Sequence, residues 1–222
     1  MSTGQLASVD QYCPQSIESA CESAGGNTGR IGKRSWQLCA IAESAYYALD
    51  IQIERNGVAS RQRYGAFLRV LYLLHRDLDA VYGRSDLQAL VTDIPQRRQL
   101  LKLEYALSTL GFRVPGVESP RLSANTTCAI AMGWLFVGEA TNLYATILYR
   151  LIQRRESRQG HGSCRLLQGP LFDTHEVIDR RWRSLIRALD DALLSPQQEK
   201  ELFAGTTDAM QQLRRYVEAE LR

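Results

Sequence analysis

Gly133-Trp134-Leu135-Phe136-Val137-Gly138-Glu139-Ala140-Thr141-Asn142-Leu143-Tyr144 is the stretch on which the reading of this chain turns. Its apolar residues fall on most sides of a helix, and the pattern runs from about Thr126 to Arg155. A helix that is apolar nearly all round belongs in the interior. Glu139, Thr141 and Asn142 follow soon after the apolar run Cys128 to Val137, which is too short to cross a bilayer. The expectation is a buried central helix with no membrane span.

Outward from this helix, the same periodicity predicts five more. Leu38, Ile41, Ala42, Ala45, Tyr46 and Leu49 place a first helix over about Arg34 to Asp50. A second starts after the N-cap candidate Ser60, carries Tyr64, Phe67, Leu68, Leu71, His75, Leu78 and Tyr82, and closes at Gly83. A short helical turn is expected at Ser85–Leu90. Pro95 suits the first position of a third helix ending at Gly111, and residues 112–124 read as a loop. Beyond the central helix, residues 156–174 look irregular. Val177, Ile178, Trp182, Leu185, Ile186 and Leu189 mark a fifth helix, and Ser195-Pro196-Gln197-Gln198 is a capping-box signal for the last. No stretch has strand periodicity, so the fold class is all-α, a multi-helix bundle.

The 222 residues suffice for one domain with a sizeable core. Residues 1–30, rich in Ser, Gly, Gln and Glu, read as a mobile extension, with the helical domain over 31–222. Net charge is +3, from 27 basic and 24 acidic residues, which leaves no basic footprint for nucleic acid. Cysteines 13, 21, 39, 128 and 164 are odd in number and irregularly spaced, with no Cys-x-x-Cys pair. They read as thiols in a reducing, cytoplasmic compartment, Cys39 and Cys128 being small apolar core residues. Residues 1–20 lack a secretory pattern.

The central stretch resembles the distal-helix signature of bacterial heme oxygenases: Gly-Trp-Leu-Tyr, two small or apolar residues, then Glu-Gly-Ser-x-Leu-Gly. Gly133, Trp134, Leu135, Glu139, Asn142 and Leu143 fall in register. Tyr64-Gly65-Ala66-Phe67-Leu68 with His75, then His161-Gly162 with Arg165-Leu166, then Trp182-Arg183 and Leu194-Ser195-Pro196 extend the likeness over about residues 34–222. The resemblance implies a heme-oxygenase-like bundle holding haem, a tetrapyrrole, between a proximal first helix and the distal helix. It also implies an electron donor as partner, and conversion of haem to biliverdin, carbon monoxide and iron.

Several residues depart from that pattern. The family's axial iron ligand is a histidine on the first helix. The only histidines here are His75, His161 and His175, and the alignment puts Glu43, or a residue within two positions of it, at the ligand site. Cys39, Tyr46 and Tyr47 carry groups that ligate iron in other haem proteins, and equally read as helix packing. The two distal glycines are replaced by Ala140 and Tyr144, which brings a ring where haem or oxygen needs space. Gly138 is a candidate for a shifted kink, although it faces another side of the helix. Phe136 stands where a tyrosine hydroxyl is common, and Lys33, Arg34, Arg150 and Arg154 are candidate partners for propionates.

The candidate pocket residues are therefore Glu43, Tyr47, Phe136, Gly138, Ala140, Thr141 and Tyr144, with no metal ligand assigned. Two readings follow. In one, a degenerate homologue binds another ligand or a protein partner in a reshaped pocket. In the other, haem is cleaved through a non-histidine ligand, for which Glu43, Tyr47 and Tyr144 are candidates. A diiron centre on His175 and Asp179 fails at Trp182, which cannot bind iron. A Cys128 nucleophile lacks an assignable partner, and Arg180, Arg181, Arg183 and Arg187 read as a solvated face.

Overall fold

A computed structural model of the chain describes residues 34–43, 46, 61–116, 119–123, 125–159 and 175–221, with 147–159 and 175 described by backbone alone. Among these residues the chain is helical throughout, without a strand. We number the helices α1 (34–43), α2 (Arg61–Leu78), α3 (Ser85–Gln88), α4 (Leu100–Thr109), α5 (Cys128–Gln159), α6 (His175–Asp191) and α7 (Pro196–Glu220), with a 3₁₀ turn at Ile94–Arg97 before α4. The expected extension over residues 1–30 lies outside the described residues.

The central helix is there, and longer than the periodicity predicts. α5 packs most extensively against α7, then against α6 and α2. The α5–α7 crossing is backbone against backbone. A Cβ on Gly133 would lie 2.4 Å from the Leu202 carbonyl oxygen and 2.6 Å from the Thr206 nitrogen. A Cβ on Gly205 would lie 2.5 Å from the Ile130 carbonyl oxygen. Each helix offers a glycine where the other's main chain arrives, and no rotamer can relieve a clash with backbone. α7 begins as anticipated. Ser195 Oγ accepts from Gln198 N at 3.3 Å, and Gln198 Oε1 accepts from Ser195 N at 2.9 Å.

Two boundaries differ from the expectation. α2 ends at Leu78, because i→i+3 bonds such as Val81 N to Leu78 O (2.8 Å) tighten the chain before Gly83. Tyr82 thereby sits in a turn, with its hydroxyl 3.3 Å from His75 Nδ1. Pro95 opens the 3₁₀ turn, not α4. There Arg97 points inward to Asp93 (2.7 Å) and Glu139 (3.5 Å). α1 is docked at its start: Ser35 N and Oγ both donate to the Asp190 carboxylate at 2.9 Å, which satisfies an otherwise orphaned helix N–H. Arg34 donates to the Leu189 carbonyl and pairs with Glu199.

Cys39 corrects the reading of five thiols. It is one half of a disulfide, whose other half lies outside the described residues. Spacing along the chain does not exclude a pairing that the fold brings together. Cys128 is a free thiol.

His75 fastens α2 to α5. Its Nε2 is 2.9 Å from Asn142 Oδ1, and the pattern is satisfied by Nε2–H donating to Asn142 while Nδ1 accepts from the Tyr82 hydroxyl. Complete burial holds its pKa down to about 4, against a smaller opposing effect of the Asn142 bond. Between pH 6.5 and 4 the unfolded chain takes a proton that the folded one refuses, so stability present above pH 6.5 is lost as pH falls. The expected loss is about 3 kcal/mol. Chemical denaturation across that range checks it against His75→Gln, which should lack this part of the slope. At the α5–α7 crossing, Gly205→Ala and Gly133→Ala should each lower stability by about 1–3 kcal/mol. Unchanged denaturation midpoints would show that the helices separate freely there.

Candidate functional site

The region that matters lies between α1 and the middle of α5. On α1, Ser35, Leu38, Cys39 and Ala42 are buried and form one stripe at three- and four-residue spacing. Tyr46 extends that stripe by one more turn and is 1% exposed. Opposite it, Val137, Thr141 and Tyr144 share one face of α5 by the same spacing, and all are fully buried.

These two faces meet directly. The Tyr46 hydroxyl lies 2.9 Å from Thr141 Oγ1 and 3.2 Å from the Val137 carbonyl oxygen, to which Thr141 Oγ1 donates at 2.7 Å. The Tyr46 ring stacks on Tyr144, centroids 5.8 Å apart and planes 23° from parallel. Ala140, one turn before Tyr144 on the same face, is also fully buried. The Tyr46 side chain therefore reaches the main chain of α5, and two aromatic rings fill the space beside that contact.

The other predicted residues that are described are not brought to this place. Glu43 is exposed on α1, and Tyr47 lies outside the described residues. Phe136 faces α6, where its ring tilts against Trp182 at 5.4 Å. Gly138 faces the end of α2: a Cβ there would meet Leu78 Cδ1 at 2.4 Å, with the Tyr82 hydroxyl 3.8 Å away. Of the candidate propionate partners, Arg34 is committed to Leu189 and Glu199. Lys33 lies outside the described residues, and the side chains of Arg150 and Arg154 are not among those described.

The sequence offers Tyr46 and Tyr47 alike as ligand or packing, and only Tyr47 is among the candidate pocket residues named from it. The signal that favours Tyr46 was in the periodicity, since it stands four residues after the buried Ala42. Arg97 was missed altogether. It is fully buried and faces Glu139 at 3.5 Å while holding Asp93 at 2.7 Å. A carboxylate inside an apolar helix requires such a partner, but nothing in the sequence says which arginine supplies it. Burial, with Glu139 next in weight, pushes the Tyr82 hydroxyl well above its ordinary range, so it remains a hydrogen-bond donor.

Other chemistry finds no support among the described residues. No group of three His, Cys, Asp or Glu is placed to hold a metal. Asp179 pairs with Arg183. Burial, followed by Asp86, pushes the Cys128 thiol up to about 11, where it is a poor nucleophile. Cys39, being disulfide-bonded, offers no thiolate. No helix among the described residues is long and apolar enough to cross a membrane.

No protein-family model matches the chain. It is 25% identical over 181 residues to heme oxygenase PigA of Pseudomonas aeruginosa, covering 81% of this chain and 89% of that protein. Its fold is similar to that of the NO- and CO-bound heme oxygenase from Neisseria meningitidis, with a TM-score of 0.68 at 19% identity over 85% of this chain and 92% of the other. Sequence and all-helical architecture agree over nearly the same span: the chain is similar to heme oxygenases in sequence and shares their fold.

Proposed function

We propose that this chain is a divergent heme oxygenase homologue that does not open haem by the family's route, and that the space between α1 and α5 serves another ligand or a protein partner. The observation that carries the reading is the Tyr46–Tyr144 pair. A flat macrocycle bound between two helices needs clear space over both faces. Here the Tyr46 hydroxyl lies 3.2 Å from the Val137 carbonyl oxygen of α5, and the Tyr144 ring fills the adjoining volume. The residues present do not fit a haem at that place. The absence of any histidine before residue 75 supports the same reading.

Hemin titration tests it. No saturable Soret shift with an axial-ligand signature is expected, and hemin with reductant and air should yield no biliverdin absorbance. A tight stoichiometric complex that turns over to biliverdin overturns the reading in favour of a non-histidine ligand. In that case Tyr46 is the phenol already facing α5, and its replacement by Phe should change the ferric spectrum.

Removing the two rings provides a second prediction. Tyr46→Ala with Tyr144→Gly should lower stability by about 3–5 kcal/mol for each ring removed, or somewhat less where the helices close in. The same variant should bind hemin at least roughly tenfold more tightly than the parent, a gain of about 1.4 kcal/mol. Denaturation and Soret titration on the same samples read both. If stability falls and hemin affinity stays flat, the rings are packing and not the barrier to haem.

A further inference from the structure

The exposed face of α6 carries an ordered pattern of charge. Arg180, Ser184, Arg187 and Asp191 follow one another at spacings of four, three and four residues. That puts them on one line down the helix, opposite the buried Ile178, Trp182, Leu185 and Leu189. A groove of about 670 Å³ runs along the line, with Leu90, Ala188 and Ala192 as its apolar part. Arg183, beside the line, is paired with Asp179. Arg180, Arg187 and Asp191 are exposed and form no ion pair among the described residues. Arg187 and Asp191 are four apart, but in the less favourable order for pairing within a helix. The neighbouring Asp190 is taken up by Ser35, so Asp191 is the carboxylate of the last turn left for a partner.

This line is complementary to itself. A two-fold axis perpendicular to α6, at a level midway between Ser184 and Arg187, lays a second α6 antiparallel to the first. Arg180 stands four residues before Ser184, and Asp191 four after Arg187. One axis therefore sets Arg180 against Asp191 of the second copy twice, and Arg187 against the Ser184 hydroxyl of the second copy twice. The register that opposes Arg180 to Arg187 brings like charges together at both places. A parallel arrangement sets each charge against its own copy. We propose that α6 is the dimerisation helix of this protein, with a second copy of the chain docked antiparallel along the groove and held by two Arg180–Asp191 pairs.

Short side chains permit the approach. Ser184, Ala188 and Ala192 are half-buried, so a second helix laid along the line meets no bulky residue on that flank and covers Leu90. An exposed ion pair alone is weak. The two-fold axis makes every contact twice, and the apolar part of the groove loses its water at the same time. The dimer forms at protein concentrations on the order of tens of micromolar, and added salt loosens it.

Sedimentation equilibrium of the full chain, from about one to a few hundred micromolar, tests the arrangement. A monomer–dimer equilibrium is expected. Arg180→Asp should raise the dissociation constant at least roughly tenfold, and so should Asp191→Arg, because each opposes like charges twice. The two changes together should restore the dimer to within about threefold of the parent, since the exchanged pair is again complementary. All of these changes lie on an exposed face, and thermal midpoints read at high dilution should match the parent's. A monomer throughout the range overturns the proposal. So does a dimer indifferent to either charge reversal, or one that the double exchange fails to restore.

Discussion

The described bundle is arranged around one long helix whose residues 131–146 leave no face for water. The middle of α5 is met by α7 at Gly133, by α1 at Val137, Thr141 and Tyr144, by the end of α2 at Gly138 and Asn142, and by α6 at Phe136. A helix surrounded in this way cannot be adjusted on one side without moving another. Where α7 crosses, the separation is set by glycine, since any side chain would strike main chain. Where α1 crosses, the separation is set by two tyrosines. The two crossings therefore differ in kind, one fixed by the absence of side chains and the other by their bulk.

The polar groups of α5 are distributed to match. Glu139 faces Arg97, Asn142 faces His75, and Thr141 faces Tyr46, each partner coming from a different element. Buried pairs of this sort add little net stability, because desolvation consumes much of what the contact returns. They make alternatives expensive, however. Rotating α5 about its axis would leave a carboxylate, an amide and an imidazole without partners at once. The apolar residues alone, present on every side, would not prevent that rotation. The polar set thus fixes the register in which Tyr144 faces α1.

Much of this was legible in the sequence, and the limits have physical causes. The order of the described helices followed from periodicity, and the α7 start from its capping box, because both are local. The C-terminal end of α2 and the start of α4 differ from the expectation, since they depend on where Tyr82 and Arg97 find partners in space. The pattern of the central stretch pointed to the proteins it resembles, and of the candidate pocket residues Ala140, Thr141 and Tyr144 are all fully buried on α5. Phe136 and Gly138 were grouped with them by adjacency in a motif, although helical geometry sends them elsewhere. The Cys39 disulfide was invisible, because a pairing distant in sequence leaves no mark in spacing.

The two unusual features between α1 and α5 account for one another. A wide slot that holds nothing is a cavity, and an apolar cavity destabilises in proportion to its volume. A helix pair built around a large ligand must either retain the ligand or fill the space. Tyr144 adds a ring where a glycine would leave room, and the ring needs a neighbour. Tyr46 supplies it, and its hydroxyl finds acceptors at Thr141 and Val137, so no polar atom of that hydroxyl is stranded. Once those contacts exist, a ligand entering between the helices must displace two stacked aromatics and break the hydroxyl's bonds before it makes any of its own. On the function proposed above, this packing and the absence of a histidine before residue 75 belong together: a space filled by protein has no use for an iron ligand.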